Sequence, residues 1–215
     1  MTEPCYSAAF ICAIRAARLT SGAGFDYGAS GLYEAVAPLS FVATPQETAG
    51  TSVNVKNGCD TSCFSYEGDP TIEKWTLTTE LCQLDAELAE VMTGGTLIVK
   101  DGRTVGFEPR PASAGPYEGC SIETWAKAWD NTAQAVEGGV PLYMRFAYEK
   151  TTWRVTDQTF GNDLLRLKLT GTAVRNPQFG TGPMADWPQE VSEPGAWFLD
   201  DTLPAGVCGY QTLAS

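Results

Sequence analysis

TIEKWTLTTELCQLDAELAEVMTGG, residues 71–95, decides the fold. Its first half alternates strictly. Trp75, Leu77, Thr79 and Leu81 fall on one face, and Lys74, Thr76, Thr78 and Glu80 on the other. That period of two is a strand with one core face and one polar face. The period then changes. Asp85 is a suitable N-cap, and Leu84, Leu88, Val91 and Met92 make a helical stripe. Gly94-Gly95 supplies the left-handed stop. The stretch therefore predicts a strand followed by one short helix over about residues 85–93, too short to stand without packing.

Strand signals extend outward in both directions. Residues 5–19 place Tyr6, Ala8, Phe10, Cys12 and Ile14 on one continuously apolar face, as in a buried strand. Residues 51–66 read as two short strands around Asn57-Gly58, a strong turn signal. Thr96–Lys100 and Thr104–Glu108 flank an Asp-Gly hairpin. Residues 120–129 alternate, with Trp125 and Trp129 opposite Ile122, Ala126 and Ala128. Strands are also expected at 141–148, at 152–157 after a turn at 149–151, and at 163–174. The last puts Arg166, Lys168, Thr170 and Thr172 outward. Two segments lack this patterning. Residues 20–50 read as a long loop with one short strand near 39–43, and unstructured loops beyond about 15 residues are uncommon in compact domains. Residues 176–215 are rich in Pro, Gly and acids with scattered aromatics. The expected fold is mainly β: an antiparallel β-sandwich over residues 1–175, one flanking helix, a long internal loop at 20–50, and an extended C-terminal arm from 176.

Composition narrows the chemistry. The 215 residues hold 14 Lys and Arg against 26 Asp and Glu, a formal charge of −12. Such a surface repels nucleic-acid phosphates. There is no histidine, which removes Ser–His and Cys–His catalysis and imidazole-containing zinc sites. No apolar run approaches the roughly 18 residues of a membrane span. The N-terminus has an acidic start and internal arginines, a poor signal peptide, so a soluble product made in the cytosol is expected. Cys59 and Cys63 admit a metal pair, a local disulfide or unpaired thiols. The third is preferred, because a metal would need two further ligands that no histidine can supply. Asp200 with Asp201, and Glu67 with Asp69, are carboxylate pairs in loops, better read as solvated surface than as a glycosidase pair. Gly94-Gly95 and Gly138-Gly139 lack the Lys-Ser/Thr of a phosphate loop. Trp125 and Trp129 read as a packed face or subunit contact before a sugar platform. No catalytic, cofactor or metal site is expected.

The order of features resembles the major tail tube proteins of long, flexible-tailed bacteriophages, particularly those infecting actinobacteria. The resemblance rests on the early strand leading into AARLTSGAG, the NGC turn, LTTELCQLDAELAEVMTGG and LLRLKLTGTAVRNPQFGTGPMADWP, and it covers essentially the whole chain. It implies a non-enzymatic structural protein of the virion tail, assembled in the host cytoplasm. Six copies would form a ring, rings would stack into a tube, and strands from every subunit would join one barrel around the lumen. Implied partners are further copies of the chain, a tape-measure protein, a tail terminator and a distal tail protein. Genomic DNA would pass through without specific binding, since six copies of −12 give −72 formal charges. Residues 20–50 and 176–215 would bridge neighbours. Lys74, Thr76, Thr78 and Glu80 are the candidate lumen-facing residues. The competing expectation is a carbohydrate- or receptor-binding β-sandwich of a virion or cell surface, with exposed aromatics gathered in one cleft.

Overall fold

The computed structural model describes residues 6–36, 38, 40–56, 62–81, 85–111, 113–130, 133–159, 166–191, 193–204 and 208–211. The strands in chain order are β1 (Tyr6–Arg18), β2 (Leu32–Val36), β3 (Ser40–Thr48), β4 (Ser52–Lys56), β5 (Ser62–Glu67) and β6 (Thr71–Leu81). Helix α1 (Ala86–Thr93) follows, then β7 (Thr96–Lys100), β8 (Arg103–Glu108) and β9 (Cys120–Asp130). Next come three short pieces, β10 (Ala133–Gln134), β11 (Val136–Glu137) and β12 (Val140–Pro141). The chain closes with β13 (Tyr143–Thr159), β14 (Arg166–Val174), β15 (Ala196–Asp200) and β16 (Gly209–Gln211). The fold is mainly β with one helix, as expected, and its principal sheet is antiparallel throughout.

That sheet runs β16-β2-β1-β9-β13-β14-β6-β3. The 17-residue β13 is its hinge. Tyr143–Ala147 lies between β9 and β15, whereas residues 150–159 pair with β14. The two halves of the sheet therefore face one another, as in a sandwich, with β13 belonging to both. Leu77 and Leu81 of β6, Ile14 of β1, Ile122 of β9, Trp153 of β13 and Leu169 of β14 meet in one core. Phe41 of β3 stacks on Tyr148 at 5.4 Å between centroids. The expectation of separate strands at 141–148 and 152–157 is corrected. Glu149-Lys150-Thr151 looked like a polar turn, but Glu149 and Thr151 are buried inside a continuous strand.

The opening stretch folds as its periods require. Leu77, Thr79 and Leu81 are buried, and Thr76, Thr78 and Glu80 lie outward and half-exposed. The Asp85 side chain accepts from the Leu88 amide and also from the Tyr33 hydroxyl, so one carboxylate caps α1 and ties it to β2. Leu88, Val91 and Met92 are buried against the sandwich. Gly94 ends the helix at φ 68°, and a Cβ there would lie 2.7 Å from the Tyr117 ring.

The patternless segments are better ordered than composition suggests. Residues 20–50, expected to be a long loop with a single short strand, carry both β2 and β3. Residues 176–204, read as an extended arm, run back over the second face of the β2-β1-β9-β13 half. There Phe179, Trp187 and Phe198 pack with Ala17, Leu32 and Ala147. The Trp75 indole donates to the Pro194 carbonyl, and Asn176 donates through its amide side chain to Ala23. Strand β1 departs from simple alternation. Register shifts between Ala9 and Ala13 turn Phe10 out to solvent at φ 59°.

Candidate functional site

The four candidate residues occupy the outer face of the β13-β14-β6-β3 half-sheet. Its register assembles rows that the sequence alone does not show. Thr152, Thr172, Thr76 and Thr44 form one row across four strands. Arg154, Thr170, Thr78 and Val42 form the next. On the other side of the threonine row lie Lys150, Val174, Lys74 and Gln46. None of these twelve side chains is buried. Asp157, Lys168, Glu80 and Ser40 follow beyond Arg154, where Arg166 approaches Glu80 at 3.4 Å. The first three rows hold cations and hydroxyls without an acid; Asp157 and Glu80 enter in the fourth. Gly171, on the inward side, lies against Trp153, and a Cβ there would come within 2.6 Å of the indole.

Neither lateral edge of this half-sheet pairs with a further strand among the described residues. β3 ends the strand order, and residues 152–159 of β13 pair only with β14 among the described residues. Pro45 lies in β3, and proline is tolerated in sheets at edges. Free edges invite pairing with another chain.

Two apolar features accompany the edges. Hairpin β4–β5 joins no other strand among the described residues, and it pairs Val53 with Tyr66 and Val55 with Phe64 on one exposed face. A lone two-stranded hairpin is marginal in water. At the mouth of the sandwich, a groove of about 390 Å³ runs between Phe10, Phe41, Trp75, Phe146, Tyr148 and Trp197.

The second face of the other half-sheet holds a buried charge network. Arg15 sits opposite both Glu34 and Glu123 in the register, contacting them at 2.9 and 3.1 Å. Arg145 contacts Glu123 and Asp186 at 2.6 Å each and Asp200 at 3.3 Å. Trp125 lies beneath both guanidinium groups at 5.0 and 4.7 Å, so it is a packed residue and no sugar platform. Burial alone would raise the Asp186 carboxyl, but Arg145 and then Arg15 outweigh it and hold the carboxyl below its ordinary range. Glu149 is pushed the other way by burial, despite accepting the Asn176 amide, and its second oxygen has no partner among the described residues. Sequence reasoning missed this network because its members are far apart in the chain; Arg15 and Glu123 are 108 positions apart.

These groups tie β1, β2, β9 and β13 to the C-terminal segment. Asp200 is engaged with Arg145 and Trp125, and Glu67 and Asp69 are solvent-exposed. Burial pushes the Cys120 thiol up to about 12. Cys63 is exposed, while Cys59 and Asn57-Gly58 lie outside the described residues. Among the described residues no acid and cysteine cluster could hold a metal, and no helix is long and apolar enough to cross a membrane. No protein-family model and no curated protein matches the chain.

Proposed function

We propose that this protein is a non-enzymatic structural subunit that closes into six-fold rings and stacks into a tube, the tail conduit of a virion. The observation that carries this reading is the four-stranded half-sheet with two free edges and a hydroxyl-rich outer face. Its strands alternate in direction, so β3 and β13 run oppositely. Rotation about a ring axis preserves direction. The free edge of β13 in one copy then meets β3 of the next as an antiparallel pair, without exception around the ring. Six copies of four strands give a closed barrel of about 24 strands. At ordinary strand spacing and tilt its backbone diameter is about 45 Å, wider than a DNA duplex. Closure removes the edges, and the threonine rows, with Lys74, Thr76, Thr78 and Glu80, line a wet lumen.

The exposed hairpin face and the apolar groove support the same reading, because a polymer provides neighbours to cover them. On this proposal the tube carries DNA and engages a tape-measure protein, a terminator and a distal tail protein at its ends. The aromatic groove favours a second reading, a carbohydrate- or receptor-binding module. Its lining is almost devoid of free polar side chains, whereas a sugar site needs several. Negative-stain microscopy of the purified protein tests the proposal. Tubes with a regular axial repeat are expected. A monodisperse monomer that persists across assembly conditions and binds glycans through the groove would replace the tube reading with the second one.

A further inference from the structure

We propose that the acid-free part of the half-sheet's outer face is a contact surface for the phosphate backbone of duplex DNA. The setting rests on the tube reading, in which this face lines the conduit; the chemistry rests on the face itself. Three successive rows across β13, β14, β6 and β3 contain three cations, six threonines and no acid. The chain as a whole carries 26 acids against 14 bases, so the local balance is inverted. Lys150 is spent on Glu118 at 3.5 Å. Lys74 and Arg154 have no ion-pair partner among the described residues, and both are exposed.

The net charge of −12 argues against DNA binding only at a distance. At physiological salt the screening length is about 8 Å, so acids on other faces of the molecule are largely screened at the point of contact. The charges that remain effective are those of the patch and of the next row on the same face, where Asp157 and Glu80 lie beside Lys168 and Arg166. Threonine hydroxyls between cations are suited to phosphate oxygens, which accept hydrogen bonds without revealing base identity. The contact is therefore weak, independent of sequence and sensitive to salt. A duplex moving along this wall would be held lightly and evenly, where the total charge alone would have it only repelled.

The test is fluorescence anisotropy of a labelled random-sequence duplex with the full-length, unassembled protein, between about 50 and about 200 mM salt. Binding is expected at the lower salt and loss of it at the higher. The variant Lys74→Gln/Arg154→Gln should reduce the log–log salt slope by about 2, near 0.9 for each lost phosphate contact. The control Lys100→Gln/Arg103→Gln, at the β7–β8 turn, should leave the slope unchanged. No salt-dependent binding, an unaltered slope in the first variant, or an equal loss in the control would each overturn the proposal. Tube formation is scored separately by microscopy. Tubes without DNA binding overturn this inference and leave the tube reading standing; DNA binding with the expected slopes but no tubes does the reverse.

Discussion

Gly171 shows how one residue fixes the wall of the proposed conduit. It faces inward from β14, and the Trp153 indole fills the space a side chain would need. Gly171→Ala should destabilise the fold by about 1–3 kcal/mol through overpacking, read as a lower denaturant midpoint with an unchanged slope. Asp186 and Glu149 make opposite predictions about pH. The folded state holds the Asp186 carboxyl below its ordinary range, so its stabilisation is complete above the unfolded value, about 3.9. It is lost as pH falls through the lower folded value. Asp186→Asn should therefore flatten the acid limb of the stability–pH curve. Glu149 is raised by burial, so its charged form opposes folding. Stability falls as pH rises from the ordinary carboxylate range, about 4.3, through the raised folded value. Glu149→Gln keeps an oxygen to accept the Asn176 amide, and it should remove that fall without loss at neutral pH. Thermal unfolding across pH checks both variants.

At the scale of the element, legibility followed how local the controlling interaction is. β6 and α1 could be read because strict periods and the caps Asp85 and Gly94 lie within the stretch itself. The β7–β8 turn was legible for the same reason, with Asp101 and Gly102 both at positive φ. β2 was not, because Glu34 breaks its apolar pattern and is satisfied by Arg15 on another strand. The unity of β13 was hidden by Glu149, whose partner Asn176 is 27 positions away. The outward faces of Lys74, Thr76, Thr78 and Glu80 were legible, but the rows they join were not, since register is set between strands. Hairpin β4–β5 gives the prediction at this scale. Phe64→Ser/Tyr66→Ser should change monomer stability by less than about 0.5 kcal/mol, as expected of exposed positions, yet impair polymerisation. Circular dichroism and light scattering on the same samples separate the two effects.

For the whole molecule, the sandwich is self-sufficient on one side and unfinished on the other. Residues 176–204 cover the second face of one half-sheet, through the Arg15 and Arg145 network and an aromatic cluster. The other half-sheet ends in two edges unpaired among the described residues, and the hairpin and groove leave apolar surface exposed. Composition suggested that the C-terminal segment waits for a neighbour. Phe179, Trp187 and Phe198 instead find partners within the chain, while Trp197 stays exposed at the groove, and the proposed assembly rests chiefly on the edges of β3 and β13. A helical cryo-EM reconstruction of polymers grown from the purified protein tests this account most directly. It predicts six-fold rings, with β3 of each copy antiparallel to residues 152–159 of β13 in the next, and with Thr76, Thr78 and Thr172 facing the lumen. A polymer in which this sheet face points outward, or in which β3 and β13 of neighbouring copies do not meet, would contradict it.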